Sequence, residues 1–167
     1  FVNINNLLAD YLTQLSARNA AKIASNLTNV NLKFIDIIYN VKANASTIEG
    51  PSAGAAMTLA TIAALSNRSV NESVFISGTI DENGTIGIVG GLGEKAKAAK
   101  ENGASLFLIP YAGYTSGYDK TESCKKLNEF NYCEINYVPK SFDLSKLLNL
   151  SIIQVKNITQ AMEYSLK

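Results

Sequence analysis

The longest apolar stretch of the chain, Ala53 to Leu65, spans about 13 residues and is rich in Ala and Thr. A membrane-spanning helix needs about 20 apolar residues, so this stretch reads as a helix buried in a protein core. With 167 residues, 47% hydrophobic and 17% charged, the chain has the apolar material to bury such a helix in one soluble domain, residues 1–167. It starts at Phe1 rather than Met, which leaves room for a removed signal peptide, anchor or further folded sequence upstream.

The segments around this helix alternate in period. Ile4, Leu7, Leu8, Tyr11, Leu12 and Leu15 recur at spacings of three and four and are followed by Ala17, Ala20, Ala21 and Ala24, which predicts an amphipathic first helix. Phe34 to Val41 reads as a strand and Asn44 to Gly50 as polar loop. After the buried helix, Ser73 to Ile80 and Thr85 to Val89 read as a hairpin around a tight turn at Asp81 to Gly84. Glu94 to Asn102 reads as an Ala-rich helix stopped by Gly103, and Ser105 to Pro110 as the next strand. A Gly- and Tyr-rich loop (Tyr111 to Tyr118), a helix near 120–129, a strand near 133–139 and a last helix from Asn157, capped with Gln160, complete the chain. The class is α/β (α+β), a mixed sheet with flanking helices.

Composition excludes several chemistries. A formal charge of +1 with no basic run gives no electrostatic case for nucleic acid or an anionic membrane. There is no histidine, so Ser-His-Asp and Cys-His catalysis and the HExxH zinc site are ruled out. Cys124 and Cys133 are too few for a zinc site; their spacing fits either a small disulfide loop or a pair of buried thiols. Asn-x-Ser/Thr acceptors stand at Asn26, Asn44, Asn67, Asn71, Asn83, Asn149 and Asn157, where about two or three are expected by chance. The excess points to an exported, extracellular or membrane-associated chain, and in an oxidising compartment the two thiols pair; an Asn-rich composition without sugar is the alternative.

Two loops carry the chemical information. Glu49-Gly50-Pro51-Ser52-Ala53-Gly54 places a serine at the start of the buried helix, where unpaired N–H groups can receive an oxyanion. Taken alone, a serine there is an ordinary helix cap. Gly87 to Lys95 opens the next helix and contains neither GxxxxGK[ST] nor GxGxxG, so nucleotide binding finds no support. It puts Lys95 in a first helical turn, where the dipole disfavours an ammonium; alone, it reads as a solvated lysine.

Together the loops resemble the proteolytic domain of Lon proteases (peptidase family S16), whose serine lies in GPSAG and whose lysine closes GGLxEK. Here these are Gly50 to Gly54 and Gly90 to Lys95, with the lysine 43 residues after the serine. Ile76-Ser77-Gly78-Thr79-Ile80 and Leu108-Ile109-Pro110 fall where the family has strand ends, and the likeness covers most of residues 14–110. Ser16-Ala17-Arg18, Gly78-Thr79-Ile80 and Gly87 to Gly91 look closest to a stand-alone, exported archaeal branch without the AAA+ ATPase domain. Glu49 stands where many members have Asp, Ser77 where they have a Thr, and Gly93 where Lys is common. Members also carry a strand-rich segment before the first helix, whereas this chain reads as beginning at that helix, so that segment is expected to be missing or the sheet smaller.

The resemblance implies an ATP-independent serine endopeptidase with Ser52 as nucleophile and Lys95 as general base, acting on exposed or unfolded polypeptides without cofactor or metal. Lysine is a base only when neutral, so its pKa must fall far below the usual value of about 10.4. Ser77 is expected to orient the amine, Glu49 to be turned aside, and the Ser52 N–H with a neighbour in the Gly50-Pro51 turn to hold the oxyanion. By analogy with the family, substrate lies extended beside Ala45, Ser46, Thr47 and Ile48. The likeness implies homo-oligomeric rings, with a monomer or dimer equally open. The contrasting expectation is a catalytically silent Lon-like structural or interaction domain of an exported glycoprotein.

Overall fold

In the computed structural model, which describes residues 2–5, 8–41, 47–111, 118–127, 130–139 and 144–167, two short strands, β1 (Val2–Asn5) and β2 (Leu8–Ala9), lead into helix α1 (Tyr11–Thr28). A 3-10 turn (Leu32–Phe34), β3 (Ile37–Asn40) and β4 (Thr47–Ile48) follow. A second 3-10 turn (Pro51–Ala53) runs directly into α2 (Gly54–Leu65). Next come β5 (Val74–Ile76), β6 (Thr79–Ile80), β7 (Ile86–Gly87), α3 (Leu92–Glu101) and β8 (Leu106–Pro110). The chain closes with β9 (Tyr118–Leu127), β10 (Phe130–Pro139), α4 (Leu144–Leu148), β11 (Ser151–Val155) and α5 (Ile158–Ser165).

The centre is a parallel sheet in the order β5-β8-β11. Successive side chains of a strand point to opposite faces, and β8 shows the consequence. Leu108 packs with Ile23, Leu59, Ile62 and Val155 on one face, while Phe107 and Ile109 pack with Ala96, Ala99 and Leu150 on the other. A strand covered on both sides reads as a continuous apolar run, which is what Leu106 to Pro110 is. Helices α1, α2 and α5 cover the first face and α3 the second.

Helix α2 is buried around most of its circumference, and its polar members are satisfied internally: the Thr58 and Thr61 hydroxyls donate to the carbonyls of Gly54 (2.8 Å) and Met57 (2.7 Å). Close packing also explains Gly54, because a Cβ there would lie 2.7 Å from Ile80 Cγ2 and 3.1 Å from the Ile80 nitrogen. The α1 face toward α2 is lined with fully buried Ala17 and Ala20, which pack with Met57.

Several sequence expectations are corrected. The first helix starts at Tyr11, not residue 4, because Asp10 caps it and the preceding segments pair in parallel as strands, β1 with β3 and β2 with β4. Strands therefore do precede the first helix. Phe34 belongs to a 3-10 turn and is 89% exposed. The strand expected over Ser73 to Ile80 is broken at Ser77-Gly78 into β5 and β6, and β6 pairs with β7 around the expected Asp81 turn. Of the helix expected near 120–129, residues 120–127 are strand: Tyr118–Leu127 pairs antiparallel with Phe130–Pro139, with Cys124 opposite Cys133, and 128–129 lie outside the described residues. Glu and Lys there favour a helix locally, but ten cross-strand pairs override that preference. Most of the expected Tyr111 to Tyr118 loop lies outside the described residues.

Candidate active site

The loop that carries Ser52 is shaped at Gly50, whose φ of 87° and ψ of 158° lie in a region essentially reserved for glycine. Pro51, with its preset φ and missing N–H, then starts the 3-10 turn. Ser52 sits at the second position of that turn, where its N–H has no partner within the helix. Its carbonyl accepts from the Gly78 N–H (3.0 Å), and the Ala55 N–H donates to the Gly78 carbonyl (3.1 Å). The Ser52 segment is thus stitched to the break between β5 and β6. The serine side chain does not act as a helix cap.

Lys95 arrives from the first turn of α3, its backbone N–H bonded to the Gly91 carbonyl at 3.0 Å. Half-buried Lys95 lines, together with Ser52 and Ser77, one groove of about 330 Å³ whose walls include Ala56, Phe75 and Phe107. Burial pushes the Lys95 amine below the ordinary lysine range. Among the described residues the amine has no salt bridge, so nothing counters that desolvation. The three side chains share the groove without a hydrogen bond between any two of them.

The other expected site residues are distributed around this groove. Ser77 is 7% exposed and lies on it, its N–H donating to the Leu108 carbonyl (3.1 Å). Glu49 is exposed and is not among the groove's walls. The Gly50 N–H is engaged by Asp10 Oδ2 at 3.1 Å. Thr47 and Ile48 form β4, with one edge taken by β2, and Ala45 and Ser46 lie outside the described residues. Cys124 and Cys133 form a disulfide across the β9-β10 hairpin, Cα to Cα 4.0 Å, so their grouping with Glu122 offers no thiolate to a metal. Among the described residues no helix is long and apolar enough to cross a membrane.

Sequence reasoning missed the part played by α1. Thr13 Oγ1 donates to the Gly50 carbonyl (3.1 Å) and Ser16 Oγ to the Pro51 carbonyl (3.4 Å). Both side chains are 3% exposed. The available signal was a pair of hydroxyls three residues apart on an otherwise alanine-lined helix face, because buried polar groups need partners.

Residues 12–141 match the sequence profile of the Lon protease (S16) C-terminal proteolytic domain. Among similar proteins, a Lon protease of Buchnera aphidicola subsp. Acyrthosiphon pisum is 33% identical over 79% of this chain and 14% of its own length. A Lon protease of Phenylobacterium zucineum is 34% identical over 73% of the chain and 15% of its own. One from Rickettsia prowazekii is 28% identical over 95% of the chain and 18% of its own. All three are bacterial, and this chain spans less than a fifth of each relative's length.

Proposed function

The chain belongs to the Lon protease (S16) C-terminal proteolytic domain family, and from that premise we propose that it is a serine endopeptidase in which Ser52 attacks the peptide carbonyl and Lys95 takes its proton. The observation that carries this reading is that two side chains, 43 residues apart in sequence, line one groove where burial lowers the lysine pKa and where, among the described residues, the amine has no salt bridge.

A serine hydroxyl needs a base as it attacks, and a lysine whose pKa burial lowers gives up its own proton more readily to become one. The mechanism requires the flexible Lys95 stem to bring its amine to the Ser52 hydroxyl across the groove that both line, with Ser77 as its second contact. The Ser52 N–H and the N-terminal end of α2 face the charge developing on the tetrahedral oxygen. Lys95 then returns the proton to the leaving amine, and water hydrolyses the acyl-serine by the same route in reverse. The edge of Thr47–Ile48 opposite β2, unpaired among the described residues, is the backbone on which an extended substrate pairs as an added strand.

The finer reading is an exported, ATP-independent enzyme acting on exposed or unfolded polypeptides rather than nucleic acid. Export is supported by the Cys124–Cys133 disulfide and the exposure of the sequon asparagines Asn26, Asn67, Asn83, Asn149 and Asn157. The missing hydrogen bond between Ser52 and Lys95 supports a second reading, a silent Lon-like domain. Casein or fluorogenic-peptide turnover by wild type, Ser52→Ala and Lys95→Arg, with and without ATP, separates the two. Turnover lost in both variants and indifferent to ATP is expected. Wild type that neither cuts peptide nor takes a fluorophosphonate label at Ser52 leaves only the silent domain.

A further inference from the structure

We propose that Asp10 is a positioning residue for Ser52, its two carboxylate oxygens divided between starting helix α1 and holding the loop that carries the nucleophile. The inference rests on the peptidase reading above and adds a residue to it.

Asp10 Oδ1 accepts the Thr13 N–H at 2.7 Å, the ordinary cap bond of a helix start. Oδ2 is directed elsewhere, to the Gly50 N–H at 3.1 Å, 40 residues along the chain. The Asp10 N–H donates to the Ile48 carbonyl at 3.3 Å, which places its carboxylate at the mouth of the loop. With the hydroxyls of Thr13 and Ser16 on the carbonyls of Gly50 and Pro51, three consecutive peptide groups ahead of Ser52 are pinned to one end of one helix.

The consequence is geometric. In a planar trans peptide the N–H points opposite to the C=O. Drawing the Pro51 carbonyl toward Ser16 therefore turns the Ser52 N–H, in the same plane, away from α1. Gly50 adopts a backbone conformation open essentially only to glycine, whose freedom there makes the bonds on either side of it decide where the loop sits. The Asp10 carboxylate fixes the upstream side of Gly50 and Thr13 the downstream side. A cap alone needs one oxygen; the second belongs to the loop.

Conservative variants separate the two roles. Asn and Ser cap helices about as well as Asp, but in Asp10→Asn an amide NH₂ replaces Oδ2 and meets the Gly50 N–H donor to donor, and Asp10→Ser has one oxygen and no second arm. The full chain carrying each substitution is compared with wild type in thermal melting, peptide turnover, fluorophosphonate labelling of Ser52, and amide exchange at Thr13 and Gly50. Melting within about 2 °C of wild type is expected, with kcat and the labelling rate down about ten- to hundredfold and KM unchanged. Thr13 amide protection should survive while that of Gly50 is lost.

An Asp10→Asn protein that turns over and labels like wild type overturns the proposal and leaves the Ser52–Lys95 reading intact. So does an activity loss that merely follows a fall in melting temperature in both variants, since a cap alone would produce it. Failure of wild type itself to label or cut overturns the peptidase reading, and this inference with it.

Discussion

The sheet centre and the β9-β10 hairpin are both β-structure, yet they are held by different forces. Strand β8 has apolar partners on both faces of the sheet, and Leu108 at its middle is fully buried on one of them. In the hairpin, by contrast, side chains 120–126 and 132–137 are all exposed, Tyr132 and Tyr137 at 62% and 64%. The first region is stabilised by removal of apolar surface from water. The second has cross-strand hydrogen bonds, side-chain pairs and one covalent link, and an isolated two-stranded hairpin is marginal in water without such a link. The contrast explains where the Ser52–Lys95 groove sits: Ser52, Ser77 and Lys95 all hang from the ends of elements that pack on the buried sheet.

Breaking the chemistry without touching the core should give the largest effect. Ser52→Ala is expected to lower peptidase activity at least about a thousandfold while leaving urea unfolding unchanged, since the hydroxyl makes no cap bond. A well-folded Ser52→Ala protein with ordinary turnover would remove Ser52 from the mechanism.

Next in size is the core itself. Leu108→Ala should cost about 3 kcal/mol in equilibrium unfolding, the transfer term plus the cavity left in a packed sheet. Tyr132→Ala and Tyr137→Ala, in exposed hairpin positions, should each stay within about 0.5 kcal/mol. Equal losses at the three sites would mean that the hairpin is docked against something as firmly as the sheet is.

The disulfide sharpens the comparison from the other side. Paired Cys124→Ser and Cys133→Ser substitutions free a loop that the link constrains by roughly 2–3 kcal/mol of unfolded-state entropy. Because the hairpin shares little buried surface with the sheet, the expected outcome is loss of amide protection across Tyr118–Pro139, with turnover and the main unfolding transition unaffected. Intact mass of unreduced protein checks the link directly; two alkylatable thiols would refute it.

The smallest effect is a pH dependence. Desolvation lowers the folded-state pKa of Lys95 below its unfolded value, so between those two values the unfolded chain binds more protons and stability rises with pH. Lys95→Met should flatten that slope. In the same protein, activity should rise with pH through the lowered lysine pKa, well below the roughly 10.4 of a free side chain. Lys95→Arg should abolish the activity limb, because guanidinium stays protonated and cannot accept the serine proton. An active Lys95→Arg enzyme would send the search for the base elsewhere.

From the sequence alone, local pattern determined the buried helix at Gly54–Leu65, the core strand at Leu106–Pro110, the Asp81 turn and the Asn157 cap, because each rests on periodicity or on hydrogen bonds within a few residues. The two motif loops and their separation also singled out Ser52 and Lys95. Tertiary structure decided what depends on distant partners. Pairing with Phe130–Pro139 made a strand of a segment whose Glu and Lys residues favour a helix. Pairing with Ile37–Asn40 and Thr47–Ile48 did the same for the residues ahead of Tyr11. The Lys95 desolvation arises from the sheet and helices that enclose its groove. Likewise Asp10 reads in sequence as a helix cap, and only the fold brings Gly50 to its second oxygen, because a hydrogen bond across 40 residues leaves no local pattern.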